Sequence, residues 1–287
     1  MRLAELYSQP RLTLSVEFFP PKTEKGEENL FSEIELIKRI NPAFCSVTYG
    51  AGGSTREKTV DLVDTIHSGC GLEVMCHLTV VGQSKDDARN ILRKLKEFGI
   101  ENILALGGDP PQGMADWQPH PDGFQRAIEL VREAVAMGTF SVAVAGFPEV
   151  HPRAVSRESD LHFLKQKVDA GAAAIITQLF FDNEDFYRFS DDLHTLGVTV
   201  PIIPGILPLQ SASQVRRFTS LCCSKIPAKL ERELVKVEND DDAAIELGIE
   251  YATRQCAELI KFGVRGLHFY TLNRSQSVLA IHKNLAL

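Results

Sequence analysis

An alternation limits this chain more than any other feature. Short apolar, β-branched segments recur along it: "LSVEFF", "FCSVTYG", "LEVMCHLTVV", "NILALGG", "FSVAVAGF", "AIITQLFF", "VPIIPGIL" and "GLHFYTLN". Between them, apolar residues recur at helical spacing over 28–40, 55–67, 84–98, 124–137, 160–170, 184–196 and 213–221. Continuous apolar strands separated by helices describe a parallel sheet covered on its outer face. Right-handed crossovers then leave an open doubly wound sheet or a closed (β/α)8 TIM barrel. Eight strand segments and no mid-chain linker favour the α/β barrel, and the 287 residues read as one domain, 1–287. A charged helical insertion is expected at about 225–242, "PAKLERELVKVENDDD", lying on the surface before the last strand.

Cap residues support the same segmentation independently. Ser54 and Ser84 stand where helices should start, and Gly99, Gly138, Gly171, Gly197 and Gly263 where they should stop. Net charge is −7 with scattered basic residues, which argues against a nucleic-acid surface. No apolar run approaches the roughly 20 residues of a membrane span, and the start lacks a secretory pattern, so a cytoplasmic protein acting on small molecules is expected. The six cysteines form no C-x-x-C and read as reduced structural thiols. No histidines carry zinc-ligand spacing, so no catalytic metal is expected.

In a barrel the site is built where strands end. The first strand offers Glu17, the second Thr48 and Tyr49, the third His77 and Thr79, and the fourth Asp109. The fifth runs into "FPEVHP" with Glu149 and His151, the sixth offers Gln178, and the eighth Tyr270, Asn273 and Arg274. Burial of Glu17 beside aromatic rings would penalise its charged form, the condition a general acid needs. A strand-end glutamate bonded to a neighbour is the alternative. Asp109, after two glycines, is either a carboxylate mounted for chemistry or a turn former. No strand segment contains a lysine for Schiff-base chemistry. The glycine-rich "YGAGGST" and "LGGDPPQG" match neither dinucleotide nor P-loop patterns.

Taken in order, "SVEFFPPKT", "SVTYGAGGST", "HLT", "LALGGDPP", "FPEVHP", "KVDAGA", "ITQLFF", "IPGILP" and "HFYTLNR" closely resemble methylenetetrahydrofolate reductases over nearly the whole chain. The length resembles the bacterial catalytic-domain form. The resemblance implies FAD as cofactor, NAD(P)H as hydride donor and 5,10-methylenetetrahydrofolate as substrate, with ping-pong alternation. It implies Glu17 as general acid and Asp109 as an electrostatic partner of flavin and pterin. Thr48, Tyr49, Ala51, His77, Gly107, Gly108, Asp109, Phe147, His151, Ala154, Asp160 and Lys167 match flavin-binding positions. Thr48, Asp109, Gln178, Gln214, Phe218 and Arg274 match substrate positions. Two departures stand out: Gly107 where the family usually has arginine, and Phe147 where it usually has tyrosine. They predict weakened flavin binding. The family tends to associate, so a homo-oligomer is expected. The alternatives are a flavin-weak or flavin-independent reductase, a subunit of a larger electron-transfer complex, and a lyase using Glu17 and Asp109 without a redox cofactor.

Overall fold

The computed structural model describes residues 1–49, 56–109, 118 and 120–287. Its strands are β1 (Thr13–Phe18), β2 (Phe44–Val47), β3 (Val74–Thr79), β4 (Asn102–Leu106), β5 (Ser141–Gly146), β6 (Ala174–Thr177), β7 (Ile202–Ile203), β8 (Gly205–Ile206) and β9 (Gly266–Tyr270). All pairings are parallel, in the order β7-β6-β5-β4-β3-β2-β1-β9-β8. The two ends of that order, β7 and β8, are separated by Pro204 alone. They are halves of one barrel strand. Proline has no N–H for the ladder, so the strand breaks there, while the Pro204 carbonyl still accepts from the His268 N–H at 3.0 Å. The expected eight-stranded (β/α)8 barrel is therefore present, with its seventh strand divided.

The pleat sorts side chains into two layers. Outward residues such as Leu14, Val16, Phe18, Cys45 and Val47 pack under the helices as the main core. Inward residues fill the barrel: Phe44, Met75, Ala143, Ala174 and Ile203 join a second cluster near the strand starts. That cluster is closed by α1 (Leu3–Ser8), which the sequence reading did not foresee. Leu3, Leu6 and Tyr7 insert into it. The N-terminal amides of α1, which have no partner within the helix, are met by the first residues of two strands, Leu3 N–H donating to Asn102 Oδ1 (3.0 Å) and Ala4 N–H to Ser141 Oγ (3.4 Å).

The outer helices are α2 (Glu24–Ile37), α3 (Arg56–Asp64), α4 (Lys85–Glu97), α5 (Ala127–Ala136), α6 (Arg157–Asp169), α7 (Asn183–Thr195), α8 (Ala212–Cys222), α9 (Ala228–Lys236), α10 (Asp241–Phe262) and α11 (Gln276–Leu285). Ser84 forms a capping box with Asp87, and the five predicted stop glycines all have positive φ. Ser54 lies outside the described residues. The sixth helix starts earlier than its apolar period suggested, because Ser156 caps it. The insertion is more than a solvated surface: Leu230 and Leu234 of α9 pack with Leu209 and Val215, and Arg216 pairs with Glu231 at 2.9 Å. Among the described residues no helix is long and apolar enough to cross a membrane.

Candidate active site

At the C-terminal ends of the strands the barrel opens into a cavity of about 670 Å³. Glu17, Thr48, His77, Asp109, Phe147, His151, Gln178 and Phe218 all line it. These residues come from six strand ends and one helix, so barrel closure alone brings them together.

Glu17 is an inward residue of β1 and is only 6% exposed. Register places it opposite Ser46 on one side and Tyr270 on the other. Every recorded contact of its carboxyl runs through Oε2: Ser46 Oγ donates at 3.4 Å, and His77 Nε2 and His268 Nε2 approach to 3.3 and 3.5 Å. Burial pulls His77 down to about 4, overriding the opposite pull of Glu17, so its ring is neutral at pH 7. The approach of His77 is therefore not an ion pair, nor is it aligned as a hydrogen bond, since Nε2 has no such partner. Behind Glu17, His268 Nδ1 shares a 2.8 Å hydrogen bond with Ser15 Oγ. Among the described residues no lysine or arginine touches this carboxyl; two imidazoles and a hydroxyl surround it.

The backbone around Glu17 is clamped by the segment after β9. Thr271 Oγ1 donates to the Glu17 carbonyl at 2.6 Å. Asn273 then uses both ends of its amide on Phe19, accepting from N–H and donating to C=O, each at 2.8 Å. This imitates two ladder bonds where the sheet has ended. On the same rim Tyr270 donates its hydroxyl to the Thr177 carbonyl at 2.6 Å. That reach requires glycine at 205, because a Cβ there would meet the Thr177 carbonyl oxygen at 2.3 Å and the Tyr270 hydroxyl at 2.6 Å.

Asp109 is placed differently. Its side chain is 86% exposed, with Arg153 Nη2 at 3.6 Å as its recorded partner among the described residues. Gly108 before it has φ +74, and a Cβ would approach Val81 Cγ2 to 2.7 Å, so the chain can turn there only without a side chain. Asp109 lines the mouth cavity, and the residues that follow it in its loop, 110–117, lie outside the described ones.

On the β5 side, Phe147 and His151 meet edge to face at 4.5 Å. The His151 N–H donates to Asp160 Oδ2 at 2.9 Å, and burial lowers the His151 ring from its ordinary range. Lys167 lies behind, pulled down to about 8 by burial although Asp160 opposes the shift, and donates to the Ala145 carbonyl at 3.2 Å. Glu149 accepts from the Lys225 N–H at 2.7 Å, tying the end of β5 to the segment between α8 and α9.

The remaining predicted residues sit outside the cavity wall. Tyr49 packs in the main core. Ala154 closes a turn onto the His151 carbonyl at 2.9 Å. Gln214 is in the first turn of α8, and Arg274 reaches Gln210 Oε1 at 3.3 Å. Ala51 falls outside the described residues. The sequence reading did not single out Ser46, His268 or Arg153. A register hypothesis would have found the first two, since they occupy inward positions facing β1.

The pattern that defines methylenetetrahydrofolate reductase matches residues 2–286. Among curated relatives, the 5,10-methylenetetrahydrofolate reductase of Pectobacterium carotovorum is 40% identical, over 97% of this chain and 91% of that protein. The Escherichia coli enzyme of the same name is 38% identical, over 97% and 92%. Methylenetetrahydrofolate reductase (NADH) 1 of Zea mays is 37% identical, over 100% of this chain but only 50% of its own length. The chain thus spans about half the length of the plant relatives. In fold it is similar to a Clostridium thermocellum protein that binds two copies of 5-methyl-5,6,7,8-tetrahydrofolic acid, with TM-score 0.69, 16% identity and coverage of 99% and 98%. A 2,3-dimethylmalate lyase shares the architecture more distantly, with TM-score 0.57, 11% identity and coverage of 98% and 82%. With both family pattern and bacterial relatives spanning nearly the whole barrel, this chain belongs to the methylenetetrahydrofolate reductase family.

Proposed function

We propose that this chain reduces 5,10-methylenetetrahydrofolate to 5-methyltetrahydrofolate, with NAD(P)H as hydride donor, FAD as carrier and the two substrates taking turns at one site. The observation that carries the reading is Glu17: a buried carboxyl at the floor of the cavity, ringed by a hydroxyl and two imidazoles in a barrel of this family.

The residues present fit a flavin dinucleotide. His77 Nε2 and Thr79 Oγ1, at the end of β3, are buried without a hydrogen-bond partner, and such atoms are costly unless something else satisfies them. Gly107 and Gly108 place no side chain between β4 and Asp109, and Arg153 offers positive charge on the rim. When bound, FAD supplies the acceptor for hydride from NAD(P)H and the donor of hydride to the folate.

The chain's own groups do the rest. Glu17 holds a proton at the cavity floor and delivers it to the folate nitrogen as the five-membered ring opens, leaving a cationic iminium that takes hydride. Because Oε2 accepts from Ser46 and faces the rings of His77 and His268, Oε1 is the oxygen left for substrate. The exposed charge of Asp109 favours the cationic form of the folate. Gln178 supplies an amide, and Phe218 a ring face, on the walls.

The test is spectroscopic and kinetic together. The purified full chain should carry, or take up, a flavin with visible absorbance, oxidise NAD(P)H with a quinone, and turn over methylenetetrahydrofolate. A colourless protein that takes up no FAD and reduces no folate would overturn the reading.

A further inference from the structure

Among the described residues that line the mouth cavity, Arg153 is the only lysine or arginine. The other charged or ionisable groups there cannot attract an anion. Glu17 and Asp109 are acidic, and burial pushes both His77 and His151 toward their neutral forms. Lys167 is turned away, donating to the Ala145 carbonyl. A dinucleotide entering this mouth would bring two phosphate charges to a rim with one cation.

That cation is already positioned. Arg153 Nη2 donates to the Gly108 carbonyl at 3.1 Å and lies 3.6 Å from Asp109 Oδ1. Its own N–H is fixed by donation to His151 Nδ1 at 3.0 Å. The recorded contacts of the guanidinium all use Nη2, so Nε and Nη1 remain as donors among the described residues. The pair with Asp109 is solvent-exposed on both sides, and such pairs hold weakly, so the guanidinium can exchange that partner for a more highly charged one. One residue before Gly108, a Cβ added at Gly107 would meet no atom of the described residues within 4 Å. Among the described residues of the loop after β4, Gly107, Gly108 and Asp109, none supplies a cation.

We infer that Arg153, from the loop after β5, is the residue that binds the diphosphate of the flavin dinucleotide, taking over a charge that the loop after β4 does not supply at Gly107. This rests on the flavin reading given above. The planar fork of arginine suits phosphate oxygens, which accept charge-assisted hydrogen bonds in pairs.

The experiment is a titration of the full chain, stripped of flavin, with FAD and separately with riboflavin, which has the ring system but no phosphate. Binding is followed by quenching of flavin fluorescence. Arg153→Ala should weaken FAD binding about ten- to hundredfold and leave riboflavin within about twofold. Arg153→Lys should fall between wild type and alanine, and Arg153→Ala combined with Gly107→Arg should recover most of the loss. FAD affinity unchanged in Arg153→Ala overturns the inference. So does an equal loss for FAD and riboflavin, which would mark Arg153 as a support of the fold alone. A wild-type chain that binds riboflavin but gains nothing from the diphosphate overturns it while sparing a flavin reading, and one that binds no flavin at all removes both.

Discussion

The two ends of the barrel have cavities of similar size and opposite character. Beside α1, a depression of about 650 Å³ is lined by residues such as Tyr7, Phe186, Ile202 and Phe262 and has no carboxylate on its wall. The mouth cavity, about 670 Å³, has Glu17 and Asp109. At the closed end Asn102 and Ser141 cap α1, while the Tyr7 hydroxyl is buried there without a hydrogen-bond partner. At the open end His77 Nε2 and Thr79 Oγ1 are buried with no hydrogen-bond partner. Left-handed backbone at non-glycine residues occurs on both sides: Val150, Leu272 and Asn273, with φ of 80, 52 and 58, come after β5 and β9, and Asn41, with φ of 48, comes before β2. Volume does not identify a site. The carboxylates and imidazoles that converge on the open end do, because acid–base chemistry needs titratable groups within reach of a ligand.

Exchanging one group at each end should break this symmetry most sharply. Glu17→Gln is expected to lower folate reduction by about 10² to 10⁴-fold while NAD(P)H oxidation with a quinone stays close to wild type. Stopped-flow measurement of the two half-reactions decides it, and an equal fall in both would remove Glu17 from the proton step. At the other end, Leu6→Ala should cost about 2–5 kcal/mol of stability in urea unfolding with kcat per folded molecule unchanged. A selective loss of kcat there would mean that the plug is coupled to the mouth.

A third prediction concerns pH. The ordinary histidine value of 6.5 is lowered to about 4 for His77 in the barrel. Between these values the unfolded chain binds more protons than the folded one, so stability rises with pH and is lost as pH falls from about 6.5 through about 4. Urea midpoints for wild type and His77→Gln across that window should show a flatter dependence in the variant. Identical slopes would mean that His77 is not held neutral by its site. The smallest effect is expected at Val150, whose left-handed conformation is costly for a β-branched side chain. Val150→Gly should raise stability by roughly 0.5–1 kcal/mol, net of the greater entropy of glycine in the unfolded chain. A destabilised variant would show that Val150 packing outweighs the strain.

Strand positions were legible because strands buried on both faces must be apolar throughout, and helix ends because Ser84 and the five glycines act locally. Pro204 was also visible inside "VPIIPGIL" as a residue that cannot pair, although the split it causes was not drawn from it. The first helix was not legible: six residues are too few for a period, and it is held by tertiary contacts. Of the site, the strand-end residues Glu17, Thr48, His77, Asp109, Gln178 and Tyr270 could be found by position, and all line the cavity. Ser46 and His268 hold equivalent positions, Ser46 penultimate in β2 as Glu17 is in β1 and His268 third from the end of β9 as His77 is in β3, but only the register that brings them to Glu17 shows their part.

By itself, then, the sequence determined the alternation of elements, the outward apolar shell and the presence of a carboxylate near the end of β1, because each depends on local periodicity and composition. Only the tertiary structure decided what surrounds that carboxylate. Ser46 lies 29 positions from Glu17, and His268 lies 222 from Ser46. They meet because parallel pairing and closure through the broken seventh strand set the register around the barrel. The same closure brought Arg153 over Gly108, 45 positions away, and so placed the cation of the mouth beside a glycine that offers none. Such neighbours follow from long-range pairing, to which local propensity is blind.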